Sequence, residues 1–154
     1  MAKLFVSGFD ELSKELSELG EDVRELAKAM VLAGSDLMAQ QWETTARAYG
    51  HIGKSRKGYQ GGQMIASIGY GKNPVEVGGV VRNDIYPKGT DTKGVRNAEK
   101  AFLLHYGTSS YKGDHWVDEA NELGAAIAYD KMASMLDQYI STGEVPVVLI
   151  KRRR

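Results

Sequence analysis

The sequence predicts an α+β domain, with two long amphipathic helices and one or two shorter ones packed on a small antiparallel β-sheet. Three observations predict it. Apolar residues recur at helical spacing in two long stretches, near residues 21–49 and 115–141. Between them lie two runs rich in Ile, Val and Tyr, from Met64 to Tyr70 and from Val75 to Tyr86. Shorter helical stretches complete the set, and the sum of these elements is α+β.

The elements follow in order. Ser7 and Asp10 fit an N-terminal capping pattern, and Phe9, Leu12, Leu16 and Leu19 then form one helical stripe assigned to the core. Asp10, Glu11, Lys14, Glu15 and Glu18 occupy the other side, and Gly20 ends this first helix. A second helix runs from about Glu21 to Tyr49, with Val23, Leu26, Met30, Ala33 and Leu37 on one face. Met38, Trp42 and Ala46 shift that face around the axis, which suggests packing against more than one neighbour, a partner subunit included. Gly34 in its middle costs about 1 kcal/mol against Ala and marks a bend or a close helix contact.

From Gly50 to Gln63 periodicity disappears into a glycine-rich basic loop. The two strand patterns come next, joined around Lys72-Asn73-Pro74, with Gly78 and Gly79 predicting a bulge or bend and Ser67 on the solvent face. Residues 87–95 form a second polar loop. A short helix from Arg96 to His105 stops at Gly107, and two or three of Phe102, Leu103 and Tyr106 can share a buried face. The last helix starts at Asp114 or His115, carries Trp116, which is expected to pack back on Tyr106, and ends near Ser141 before Gly143. Val145 to Ile150 is an apolar run suited to a third strand.

At 154 residues the chain reads as a single domain, 1–154, with mobile loops near 50–63 and 87–95 and a basic C-terminal tail at 151–154. No run approaches the ~18 apolar residues of a membrane span. The first seven residues do not read as a signal peptide, and the absence of cysteine excludes disulfides and thiolate metal sites. The expectation is a protein folded in a cytoplasm and not associated with a membrane. The zero net charge conceals segregation. Residues 1–50 hold five basic and nine acidic side chains (−4), residues 51–112 ten and four (+6), and residues 113–154 five and seven (−2). Opposite-signed surfaces suit head-to-tail contacts between copies, although the segments can equally face each other within one monomer.

Catalytic patterns are weak. Asp114, His105 and His115 have no spacing that sets metal ligands on one face, so neither a metal nor another cofactor is expected. No Gly-x-Ser-x-Gly elbow and no phosphate-binding glycine pattern occurs, and no catalytic residue is assigned. The basic residues carry more weight as contacts. Lys54, Arg56 and Lys57 lie beside Tyr59, a possible stacking surface; Lys88 and Lys93 lie in the second loop, and Lys151, Arg152, Arg153 and Arg154 end the chain. Such groups neutralise phosphates in a small DNA-binding protein, dock on an acidic protein surface, or simply stay solvated.

One stretch narrows these classes. Arg96-Asn97-Ala98-Glu99-Lys100-Ala101-Phe102-Leu103-Leu104-His105 leads into Tyr106-Gly107-Thr108-Ser109, then a short basic loop, then His115-Trp116 opening a helix. With Phe9-Asp10-Glu11-Leu12, the Leu19-Gly20 break and Gly62-Gln63-Met64-Ile65-Ala66-Ser67-Ile68, it resembles the tail-completion and head–tail joining (minor tail component) family of long-tailed bacteriophages. These motifs span most of the chain in the family's order. The family usually carries an acid where this chain has His105.

The resemblance implies a non-enzymatic virion component of a tailed phage or prophage, assembled in the host cytoplasm and located at the neck. Its implied partners are further copies in a ring, the head-connector and the tail-tube or tail-terminator proteins, with genome DNA possible in the lumen. The ten interface residues named above are then docking or lumen contacts.

Overall fold

The computed structural model describes residues 20–149. The helix expected from Ser7 to Gly20, with its Phe9, Leu12 and Leu16 core assignment, and the basic tail Lys151–Arg154 lie outside them. The fold is α+β. Helix α1 spans Glu21–Ala48, a single turn α2 Gln63–Ala66, α3 Asn97–Tyr106 and α4 Trp116–Thr142; four short strands, β1 Ile68–Tyr70, β2 Val75–Val77, β3 Val80–Arg82 and β4 Ile85–Pro87, lie between α2 and α3.

Helices α1 and α4 pack antiparallel. Gly34 and Gly124 sit where the two helices approach most closely: a Cβ on Gly34 would lie 2.3 Å from Met132 Cε, and one on Gly124 2.5 Å from Met38 Sδ. The glycine in mid-helix is therefore a close contact, and Met132 and Met38 fill the space it leaves. The buried apolar positions of α1 pack against two parts of the same chain. Met38, Ala39, Trp42 and Ala46 join Ile65, Ile68, Ile85, Trp116 and Ala120 in one buried cluster, while Leu26, Met30 and Val31 join Val81, Met132 and Met135 in another. The drift of the apolar face follows two layers of the same chain, the helix α4 and the β segment.

The β segment departs from the expected pair of strands. Met64 and Ile65 are buried in the turn of α2, and Ser67 ends that turn by donating its hydroxyl to Met64 O at 2.7 Å. Gly78 and Gly79 both have positive φ, 61° and 79°, and form a two-residue hairpin loop, so β2 pairs with β3. β1 pairs instead with β4, Gly69 opposite Tyr86. The pairing is extended by Asn83, which accepts from Gly71 N–H at 3.0 Å and donates to Gly71 O at 2.9 Å. Tyr70 donates its hydroxyl to Asp36 at 2.9 Å, tying β1 to α1; burial and that carboxylate push the phenol up to about 12.

The third strand expected at Val145 to Ile150 does not form in its described part. Residues 145–149 are irregular, with Val145 and Val148 packed on the second cluster. Pro146 inside the run has no N–H to give to a ladder, and Val145 and Val148 are used in packing instead. The charge segregation is a layer segregation: the basic middle segment forms α2, β1–β4 and α3, and the acidic flanks supply α1 and α4. No described helix is long and apolar enough to cross a membrane.

Candidate assembly surface

The Tyr-Gly-Thr-Ser stretch and the His-Trp helix start are one structural unit. An α-helix leaves its last carbonyls and first N–H groups without partners, and here they are met partly by local caps and partly across the junction between α3 and α4. Leu103 O accepts from Gly107 N–H at 2.8 Å, Leu104 O from Asp114 N–H at 3.3 Å and His105 O from His115 N–H at 3.1 Å. In return Asp114 Oδ1 accepts from Trp116 N–H at 3.2 Å, and His105 Nδ1 accepts from Val117 N–H at 3.3 Å. Thr108 closes the intervening loop, its N–H donating to Tyr111 O and its Oγ1 accepting from Tyr111 N–H. The two segments come so close that a Cβ on Gly107 would lie 2.4 Å from Gly113 N, and one on Gly113 2.3 Å from His105 O.

Trp116 is fully buried at this junction, its ring 5.5 Å from Trp42 and 5.8 Å from His51. Tyr106, the expected packing partner, is instead 61% exposed, with its ring 4.4 Å from that of His105. Residues Asn97, Ala101 and His105 form the buried face of α3. Phe102, Leu103 and Tyr106, expected inside, are outside: Phe102 is 53% and Tyr106 61% exposed, their rings 4.7 Å apart. The helical phase explains the error. A four-residue spacing identifies a stripe without saying which side of a short helix meets the core, and His105 took the inner position. Beside the exposed row, a cavity of about 270 Å³ is lined by Tyr86, Pro87, Phe102, Tyr106 and Val117, among others.

All three histidines gather at this junction. His51 Nε2 lies 2.8 Å from Asp114 Oδ2, buried but not aligned for a hydrogen bond. His105 Nε2 and His115 Nδ1 lie 3.8 and 3.5 Å from Asp118 Oδ2, so these three groups present ligand atoms within 4.8 Å of one another. The sequence pointed to Asp114 as the acid of such a cluster; the structure puts Asp118 there, one helical turn from His115. A metal-bound imidazole donates its second ring N–H to an acceptor. His105 Nδ1 does the reverse, accepting from Val117 N–H, which leaves the ring proton on Nε2 and directs it at Asp118. The arrangement therefore fits a neutral imidazole capping α4 better than a metal ligand.

Burial holds His105 below the ordinary histidine value, with His115 acting in the same direction and Asp118 and Asp114 against it. The folded state thus resists a proton that the unfolded chain accepts from about pH 6.5 downward, and stability falls with pH until the lower folded value is passed. Thermal melts should show this between about pH 5 and pH 7 as a steeper loss for the native chain than for His105→Gln, which keeps an acceptor but does not titrate. Parallel profiles would contradict the assignment.

The expected contact residues are placed as follows. Arg56 and Tyr59 exchange backbone hydrogen bonds of 2.9 and 2.8 Å around Lys57-Gly58, so Lys54, Arg56 and Lys57 surround an exposed hairpin tip. Tyr59 is half-buried, with Lys100 Nζ 4.9 Å and Lys93 Nζ 5.9 Å from its ring centre. A base stacking on it would have to displace one of these. Lys88 donates to Tyr70 O at 2.5 Å. The two loops touch: Gln63 accepts from Thr92 N–H at 2.9 Å, and Thr92 Oγ1 donates to Gly58 O at 3.3 Å. Lys151 to Arg154 lie outside the described residues.

Sequence reasoning missed the pair that fastens this region, Asp91 and Lys100. Asp91 is buried, accepts from Lys93 and Val95 N–H at 2.8 and 2.9 Å, and is ion-paired to Lys100. The hydrogen bond from Lys100 holds the Asp91 carboxyl below the usual range. Burial pulls Lys100 down, but its bonds to Asp91 and Tyr59 outweigh that and hold it raised. The signal was present in Asp91-Thr92-Lys93-Gly94, an Asx-turn pattern closed by a glycine.

No protein-family model, no curated protein and no solved structure matches the chain.

Proposed function

We propose that this protein is a non-enzymatic virion component of a tailed phage or prophage that acts in tail completion or head–tail joining by forming a ring of copies at the neck. The observation that carries the reading is the exposed row Phe102, Leu103 and Tyr106 on α3, beside a cavity of mixed lining that includes Tyr86, Pro87 and Val117 but also Asp118 and Asn121. Contiguous exposed aromatic surface is costly to leave in water and marks a protein contact. It lies on the helix whose Tyr-Gly-Thr-Ser ending resembles the joining family. The layered charge gives copies a basic and an acidic side, which suits head-to-tail contacts. The contact chemistry is thus an aromatic anchor with charged surroundings, and the head-connector and tail-tube or tail-terminator proteins are the further partners proposed.

Phe102→Asp and Tyr106→Asp alter exposed positions, so both should fold with nearly the native thermal midpoint. Each should reduce head–tail joining at least tenfold when added to particles lacking this component. Charge reversal at Lys54, Arg56 and Lys57 separates the second reading, in which the exposed basic hairpin binds DNA. DNA retention that weakens steeply with salt and is lost in that triple variant, together with full joining by Phe102→Asp, would overturn the assembly reading.

A further inference from the structure

Helix α4 packs on α1 through Val117, Ala120, Gly124, Ala128 and Met132, yet Leu123 and Ile127, one turn apart, are each 49% exposed. This pair lies on a different flank of α4 from the aromatic row of α3. Asp118 lines the cavity beside Phe102 and Tyr106. Ile127 is nine positions further along the same helix, about two and a half turns, so it projects from the opposite side, with Leu123 one turn before it. The chain therefore carries two exposed apolar patches that face in different directions.

We propose that Leu123 and Ile127 receive Phe102 and Tyr106 of a second copy, so that the contact between copies runs head to tail. This inference rests on the assembly reading and supplies the other half of its contact. Spacing matches the two surfaces. Each pair is four residues apart on a helix, about 6 Å along the axis, and ridges of that spacing interdigitate in the commonest class of helix packing. Charge selects the partner and the direction. The row on α3 is preceded by exposed Arg96 and Glu99 and followed by exposed Lys112, which bridges to Gly107. The pair on α4 is preceded by exposed Glu119, held by the Tyr49 hydroxyl, and followed by exposed Asp130 and Lys131. With the two helices antiparallel, Lys112 approaches Glu119, and Arg96 and Glu99 approach Asp130 and Lys131, so each charge has an opposite one within its reach. A parallel approach sets Glu99 beside Glu119 instead. Row packed on row in a two-fold dimer would leave Leu123 and Ile127 in water. A head-to-tail contact covers both patches of every copy once the ring closes.

Mixing two variants tests the inference. Phe102→Asp removes the row and Ile127→Asp removes the receiving pair; both positions are exposed, so each variant should keep nearly the native thermal midpoint. Each alone should stay monomeric at concentrations where the native chain assembles. In an equimolar mixture the intact row of Ile127→Asp meets the intact pair of Phe102→Asp. Light scattering should then show particles of two chains and nothing larger. Leu123→Asp should behave as Ile127→Asp does. If both α4 variants assemble like the native chain, or if the mixture stays monomeric, the head-to-tail pairing is wrong, while a Phe102→Asp variant that alone fails to assemble leaves the assembly reading standing. A large fall in thermal midpoint for both α4 variants would also overturn the inference, because the pair would then be packed within its own chain. A native chain that never assembles refutes the assembly reading and this inference with it.

Discussion

Replacing Gly107 by alanine is expected to cost about 3 kcal/mol or more, lowering the thermal midpoint by roughly 6–12 °C. Two effects add. Gly107 holds φ 90° and ψ −177°, a region that side-chain-bearing residues rarely enter. The new Cβ would also meet Gly113 N at 2.4 Å and Tyr111 O at 2.5 Å, both backbone atoms of a loop held by its own hydrogen bonds. Backbone on both sides cannot swing away as Met132 can from Gly34. Gly143 separates the two effects, since it has φ 69° but nothing within 4 Å of a built Cβ. Gly143→Ala should therefore cost only about 1 kcal/mol. Equal costs at the two positions, measured by thermal melts, would show that the α3–α4 junction yields.

Truncating Trp116 to alanine should cost about 3–5 kcal/mol, because a fully buried indole leaves a cavity between α1, α4 and the loop after α1. Trp42 and His51 lose the ring against which they pack. Trp116→Phe should cost clearly less. The indole N–H of Trp116 is buried without a hydrogen-bond partner, so removing it relieves a desolvation penalty that offsets part of the lost volume. Urea titrations should show a lower midpoint for both variants at constant slope, with the alanine variant much the weaker. A phenylalanine variant as unstable as the alanine one would mean that the Trp116 N–H is satisfied.

The long helices were legible because twenty-seven or more residues of repeated spacing leave little choice of period. Their ends were legible as well: Gly143 takes the left-handed conformation expected of a helix stop. Phase on α3 was not legible. Ten residues carry too few apolar positions to fix a face, and the buried one is made of Asn97, Ala101 and His105, none of them strongly apolar. The strands failed for a different reason. Three-residue strands are set by which turn closes them, and Gly78-Gly79 closing β2 on β3 left β1 to find β4. The junction itself was half-visible. Gly107 and Asp114 announced a helix stop and a helix start, but the use of His105 as a cap on α4 depends on the two helices meeting, which no local pattern encodes.

Static light scattering over a wide concentration range, at low and physiological salt, tests the assembly claim most directly. The account predicts particle masses that rise with concentration from 16.9 kDa toward a fixed multiple of it, with Phe102→Asp remaining at the monomer mass. A native chain that stays at the monomer mass at every concentration and salt, indistinguishable from Phe102→Asp, would contradict it.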